Sequence, residues 1–216
     1  GRGLFLVCDG MGGAKAGEVA SGLAADAFLN SLANLWKEPR KPESFKEQLL
    51  EAYDQVNEVV YDASRANEDY AGMGTTMVCA LCGDNQAIIG NVGDSRAYCI
   101  TDDGIKQITT DHSLVQMMLR RGELTREQAK NFPGKNYITR AIGTEPTVDC
   151  DFFHLDMKKD ECLLLCSDGL SNLLDEQEML FEVAHGAKMD HCCQRLRDIA
   201  IKRGAPDNVT SILIQI

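Results

Sequence analysis

No stretch of the 216 residues approaches the length and apolarity of a membrane-spanning helix. The opening GRGLFLVCDG is no secretory leader: one basic residue precedes a short apolar run that stops at an acid and a glycine. A basic stripe is missing too. Asp and Glu number 33 against 22 Lys and Arg, a formal net charge of -11, and Arg120 with Arg121 is the nearest approach to a cationic patch. That balance speaks against a nucleic-acid binder. There is no internal repeat and no low-complexity tract, and the four histidines form no cluster. The glycines of DGMGG do not follow the order of a P-loop or of a dinucleotide-binding turn. Length and ordinary apolar content leave one globular domain with a sizeable core.

Cysteine, by contrast, is abundant, with nine residues. An odd number cannot pair completely within one chain, and Cys8, Cys79, Cys162 and Cys166 sit inside apolar runs. Buried free thiols in a reducing compartment, the cytoplasm, are the simpler reading. Cys79 and Cys82 have C-x-x-C spacing, but strand positions three apart face opposite sides of a sheet, so they should not share a metal.

Hydrophobic periodicity divides the chain. Leu4 to Cys8 reads as a buried strand, stopped by Asp9-Gly10-Met11-Gly12-Gly13. A helix is expected from Ala16 to Leu35, with small residues between its apolar ones and Glu18 in its first turn. Pro39 and Pro42 mark a loop, and Phe45 to Ala66 a second helix. Strands follow at Thr75–Leu81 and Gln86–Val92 around Gly83-Asp84-Asn85, then at Arg96–Ile100 and Ile105–Ile108. Ser113–Arg121, Thr125–Lys130 and Asn136–Ala141 read as short helices, Thr125 with Gln128 forming a capping box. Strands resume at Asp151–Leu155 and Cys162–Cys166. Helices near Asp175–Ala184 and Asp190–Arg203 precede a last strand, Val209–Ile214. Helix pairs on either side of the strands predict an α+β fold: two central, mostly antiparallel sheets between helical layers, in four layers α-β-β-α.

Four aspartates stand where apolar strands meet turns: Asp9 in LFLVCDGMGG, Asp94 in AIIGNVGDSR, Asp168 in CLLLCSDGLS and Asp207 in GAPDNVTSILIQI. Carboxylates collected at one edge of a sheet supply hard oxygen ligands, suited to Mg2+ or Mn2+ in phosphate chemistry. An acid closing an apolar strand is costly to desolvate unless something compensates it. Asp9 is the strongest candidate, with Gly10 offering its carbonyl; the alternative is a helix cap. Any one of the four fits an ordinary turn acid; four in like positions fit less easily. Asp111 is expected to cap the helix near Ser113. Thr75 and Thr76 either support the site through their hydroxyls or merely start a strand, the latter being favoured.

Taken in order, Asp9 at GMGG, Thr75-Thr76 in GTT, Asp94 in VGDSR, Asp168 in CSDGL and Asp207 in DNVT closely resemble the bacterial metal-dependent serine/threonine protein phosphatases of type 2C. The resemblance covers essentially the whole chain. It implies a binuclear Mg2+ or Mn2+ centre of two tightly bound cations. Asp9 would bridge them, the Gly10 carbonyl would bind one, and Asp168 and Asp207 the other. Asp94, with Asp168, resembles the ligand set of a third, weaker cation. Asp9, Asp168 and Asp207 would be catalytic through a cation-activated water that attacks a phosphoserine or phosphothreonine monoester, without a phosphoenzyme. No C-x5-R loop of a cysteine-based phosphatase is present.

The resemblance further implies a single phosphatase domain over residues 1–216 with a flap at about 113–141. Its partners would be phosphorylated proteins, among them a serine/threonine kinase or its substrates. No nucleic acid and no membrane partner is expected, and the chain should act as a cytoplasmic monomer. Family members begin with a further strand and a phosphate-holding arginine. This chain starts at Gly1, directly before the strand to Asp9, so the domain is read as N-terminally incomplete and its activity as it stands is left open. Met11 occupies the place of a histidine in eukaryotic members. The main rival is a non-catalytic phosphoprotein-binding or regulatory domain on the same scaffold. A phosphatase of anti-sigma-type switches would have a shorter flap, and a metal-dependent nuclease would need a basic channel.

Overall fold

The computed structural model describes residues 2–33, 43–130, 132–134, 136–186 and 189–215. The expected loop at Pro39 and Pro42 lies outside them. In chain order the elements begin with β1 (Gly3–Val7), β2 (Gly10–Met11), α1 (Ala14–Ser31) and α2 (Glu43–Ala66). After a 3-10 turn at Glu68–Tyr70 come β3 (Gly74–Thr75), β4 (Met77–Gly83), β5 (Gln86–Val92), β6 (Arg96–Thr101) and β7 (Gly104–Gln107). Two short helices follow, α3 (Leu114–Arg120) and α4 (Arg126–Lys130), then β8 (Asp151–Asp156) and β9 (Cys162–Cys166). The chain closes with α5 (Asp168–Ser171), α6 (Glu176–His185), α7 (Cys192–Lys202) and β10 (Ser211–Gln215).

Two four-stranded sheets result, ordered β1-β4-β5-β8 and β10-β9-β6-β7, with β2 and β3 forming a small third one. All pairings among these strands are antiparallel. Side-chain alternation then builds three cores. Met77, Cys79 and Leu81 of β4 face Ala20, Ala24 and Phe28 of α1 and Leu49, Tyr53 and Val56 of α2. Val78, Ala80 and Cys82, from the other face of the same strand, meet Ala97, Leu163, Leu165 and Ile214 of the second sheet. That sheet's outer face, with Tyr98, Ile100, Leu164 and Cys166, receives Met179 and Val183 of α6 and Leu196 and Ala200 of α7. The predicted four-layer α+β sandwich is the fold. Fully burying one such Leu, Ile or Phe stabilises it by about 1.5–3 kcal/mol.

Small residues set the layer spacing. Ala20 and Ala24 are fully buried, letting α1 lie close to its sheet. Gly90 leaves room for Tyr53: a Cβ there would sit 2.8 Å from the ring. The β4–β5 hairpin closes at Asp84 and Asn85, both with positive φ (53° and 64°), the two-residue turn that matches strand twist. All nine cysteines are free, and Cys79 and Cys82 face different cores, as strand alternation requires. Among the described residues no helix is long and apolar enough to cross a membrane.

Some expectations need correction. Residues 136–141 are not helical: Ser113 and Ile138 form an isolated bridge, and Thr139 N–H donates to the His112 carbonyl (2.8 Å). Leu114 N–H likewise donates to the Tyr137 carbonyl (2.8 Å), so this stretch bonds across to the start of α3. α1 begins at Ala14, so Glu18 falls beyond its first turn. The last strand begins at Ser211, two residues later than the apolar pattern suggests.

Candidate metal centre

The strand register brings the four aspartates to one end of the sandwich. Val7 pairs with Val78 and Met77 with Val92, so the end of β1, the start of β4 and the end of β5 coincide. Arg96 and Ser211 both pair with Cys166, which aligns the start of β6, the end of β9 and the start of β10. Asp9, Asp94, Asp168 and Asp207 project from the turns at these positions.

Asp9 is held by the GTT segment. Its N–H donates to Thr76 Oγ1 (3.1 Å), and its carbonyl accepts from Thr75 Oγ1 (2.9 Å) and Thr76 N–H (2.8 Å). The two hydroxyls therefore support the site, contrary to the favoured reading of a plain strand start. β2 and β3 pair just beyond, and α1 crosses over them so closely that a Cβ on Gly10 would lie 1.9 Å from the Gly17 carbonyl oxygen. Only a glycine leaves the Gly10 backbone exposed at this crossing.

Asp94, 8 % exposed, occupies the β5–β6 turn. Gly93 (φ 105°) presses on Thr76, whose hydroxyl shares a 2.7 Å hydrogen bond with Ser95 Oγ. Thr76 thus ties the Asp9 turn to the Asp94 turn. Arg96 forks onto Asp111, through Nε at 3.0 Å to both oxygens and Nη2 at 2.6 Å to Oδ2. Asp111 is therefore an ion-pair partner and not the helix cap expected; Ser113 caps α3.

Asp168 opens α5, a single turn absent from the sequence reading, and accepts from Asn172 Nδ2 (3.0 Å), four residues on. Asp207 precedes β10 in a loop pinned to Ser167, whose Oγ donates to the Asn208 carbonyl (3.2 Å) and accepts from Thr210 N–H (3.2 Å). A Cβ on Gly169 would lie 2.1 Å from the Asn208 carbonyl oxygen, so this glycine too permits a close approach.

The four carboxylates feel one another. Burial, then the charges of Asp168 and Asp207, push Asp9 up to about 7; Asp168 is also within hydrogen-bonding reach of it. Burial and the charge of Asp168 push Asp94 up to about 7 as well. Asp168 is raised by burial and by Asp207. A cleft of about 810 Å3 opens beside Asp9, Gly10 and Asp207, and its charged lining residues, Asp9, Glu18 and Asp207, are all negative. Such a donor set, all hard oxygen and short of counter-charge, fits Mg2+ or Mn2+. Among the described residues, no three His, Cys, Asp or Glu side chains already converge on one ion-sized point. Asp168 and Asp207 each have one carboxylate oxygen on a protein donor, the latter on Asn208 N–H at 2.8 Å, which leaves each a second oxygen for a cation.

Comparison with known proteins shows the family. The family model for protein phosphatase 2C matches residues 1–202. The serine/threonine phosphatase stp of Listeria innocua is 37 % identical over 219 residues, spanning 98 % of this chain and 84 % of that protein. The serine/threonine phosphatase Stp1 of Staphylococcus aureus superposes with a TM-score of 0.92 at 36 % identity, covering 100 % of this chain and 84 % of that one. The catalytic domain of the phosphatase PstP, solved in complex with 2 manganese ions, has a TM-score of 0.84 at 31 % identity, over 97 % of this chain and 86 % of its own. The chain belongs to the protein phosphatase 2C family.

Proposed function

We propose that this metal-dependent serine/threonine phosphatase gathers a tightly bound pair of divalent cations on Asp9, Asp168 and Asp207, with the Gly10 carbonyl on one of them. Asp94 and Asp168 serve a third, weaker cation. The observation that carries the assignment is the crowding of four carboxylates at one sheet end, Asp94 buried, Asp9 and Asp168 half-buried and Asp207 exposed, with Asp9 and Asp94 both pushed up to about 7. Bound there, Mg2+ or Mn2+ supplies Lewis acidity for activating water and for neutralising phosphate oxygens.

The chain's own contribution is position and charge. Thr75 and Thr76 fix the Asp9 backbone, and Ser167 fixes the loop of Asp207, so the carboxylates stand on rigid turns. A phosphomonoester dianion entering the cleft meets negative side chains, so the protein repels its substrate until that charge is offset. Cys8 lines the same cleft, but burial, with Cys79 and Asp9 adding to it, pushes its thiol up to about 12. It stays protonated and is no nucleophile. Residues 113–141 form the flap: Ser113, Val115, Gln116 and Leu119 face Asn172, the partner of Asp168, across a cleft of about 480 Å3. The substrates are phosphorylated proteins, including a serine/threonine kinase or its targets, and the nine free thiols support a reducing compartment such as the cytoplasm.

Hydrolysis of a phosphothreonine peptide, with and without Mn2+, tests this on the wild type and on Asp9→Ala, with bound metal counted in parallel. The wild type should need Mn2+ and hold two cations tightly, and Asp9→Ala should lose both properties. Full activity in Asp9→Ala overturns the assignment.

A further inference from the structure

His112 lies outside the carboxylate set and has no part in the chemistry above. It is nonetheless 8 % exposed and hydrogen-bonded on every side. Its Nδ1 accepts from Gly93 N–H at 3.0 Å, while the His112 backbone N–H donates to the Gly93 carbonyl at 2.9 Å. One residue thus takes up both backbone groups of the glycine next to Asp94. On the far side of the ring, Nε2 lies 3.1 Å from Asp151 Oδ2. Arg140 Nη1 completes the group, 3.0 Å from Asp151 Oδ1 and 3.1 Å from the Asp149 carbonyl.

The donors decide the tautomer. A backbone amide can only donate, so the Nδ1 facing it carries no proton. In the neutral ring the proton is then on Nε2, where Asp151 accepts it. Arg140 Nη1 is also 3.0 Å from Nε2, but a ring N–H accepts nothing, so this is a charge contact and not a hydrogen bond. Burial, together with Arg140, holds the imidazole below its usual range against the pull of Asp151. Burial pushes Asp151 up, yet the bonds from His112 and Arg140 outweigh it and keep that carboxyl low and charged.

We infer that His112, fixed as the Nε2–H tautomer, is the positioning residue that clamps the Asp94 turn to the root of the flap. The inference rests on the metal-centre reading above. The clamp acts through Gly93, whose missing Cβ leaves room for Thr76 at 2.6 Å. Thr76 in turn bonds the Asp9 amide and Ser95. Seating Gly93 correctly therefore seats Asp94 relative to Asp9. At the other end, Arg140 closes the 113–141 segment, and Ile142 bonds Thr75 through both backbone groups.

Two isosteres separate this role from simple packing. An asparagine amide reaches the place of Nδ1 and can accept from Gly93; a glutamine amide reaches the place of Nε2 and cannot. Mn2+ binding is measured by calorimetry on wild type, His112→Asn and His112→Gln, with melting curves to confirm folding. His112→Gln should raise the Mn2+ concentration that half-fills the weakest site about tenfold, and His112→Asn by no more than about threefold, as expected for one hydrogen bond lost or kept. Variants indistinguishable from wild type, or Asn as impaired as Gln, overturn the role of His112. No Mn2+ binding to the wild type overturns the metal centre itself. Should the variants fail to fold, 15N NMR of the wild-type ring decides: an Nε2-protonated ring at neutral pH supports the clamp, and an Nδ1-protonated ring overturns it.

Discussion

Asp111→Ala should be among the most damaging substitutions that spare the four site aspartates. Arg96 places three N–H to oxygen contacts on Asp111 and one, through Nη1, on Tyr98 Oη at 3.0 Å. Asp111 also accepts from Gln107 Nε2 at 2.8 Å. Their side chains are 26 % and 11 % exposed. Removing one partner of a buried pair costs about 3–5 kcal/mol, because the other charge stays buried and unpaired. Water reaching the quarter-exposed guanidinium lowers that to about 2–4 kcal/mol. In a chain of this size each kcal/mol moves Tm by about 2–4 °C, so a drop of about 5–15 °C is expected. The assay is thermal and urea unfolding of Asp111→Ala, Arg96→Met and the double variant. If the pair is the reason for the cost, the double variant recovers much of the loss, with a coupling energy above about 1.5 kcal/mol. If Asp111 were only a helix cap, Asp111→Ala would cost about 1 kcal/mol and show no coupling to Arg96. That second result would refute the reasoning.

Gly10→Ala should force the β2 turn and α1 apart, since the new Cβ falls 1.9 Å from the Gly17 oxygen; a loss of about 1–3 kcal/mol in urea unfolding is expected, together with a drop in phosphatase rate. Thr76→Val should leave the Asp9 amide and Ser95 Oγ unpaired, at about 1–3 kcal/mol for each buried group, while Thr76→Ser should stay close to wild type in melting experiments. In chelator, the raised folded-state values of Asp9 and Asp94 set the sign of the pH dependence. Their contribution is fully present below the ordinary 3.8 and is lost as pH rises through about 7. Melting curves of metal-free protein should therefore shift down between about pH 4 and 7 by this contribution, Mn2+ should remove the effect, and a flat or rising profile across that window would contradict it.

Much of this was legible because the signals are local. Two short apolar runs in Met77–Gly83 and Gln86–Val92, joined at Asp84-Asn85, name a hairpin before any partner is known. Each site aspartate announces itself by closing or opening an apolar strand beside a glycine or a proline turn. What was not legible depends on partners far away in the chain. Asp111 has the sequence context of a cap, and only the approach of β6 makes it the counter-ion of Arg96. The hydroxyls of Thr75 and Thr76 serve Asp9 across 66 and 67 residues. A two-residue sheet such as β2–β3 has no periodicity to read. α5 is similarly short, although Asp168 and Asn172 stand at the i, i+4 spacing that puts two side chains on one helical face. Residues 136–141 misled because short apolar spacing cannot distinguish a helical turn from a strap bonded to its neighbour.

Charge explains why this end of the sandwich is built with so many hydrogen bonds. Arginines do stand close by, but each is matched to an acid outside the ligand set: Arg96 to Asp111 and Arg140 to Asp151. The turns that carry the site aspartates are held instead by neutral donors and acceptors, from Thr75, Thr76, Ser95 and Ser167. Neutral hydrogen bonds fix position without cancelling charge. Had Arg96 paired with Asp94, the turn would be as rigid and the carboxylate less repelled, but it would have little left to offer a cation. Keeping the arginines committed elsewhere preserves a negative cleft; on the proposed assignment divalent metal relieves that repulsion, and the arrangement that weakens the metal-free protein is the one that would give the cations their affinity.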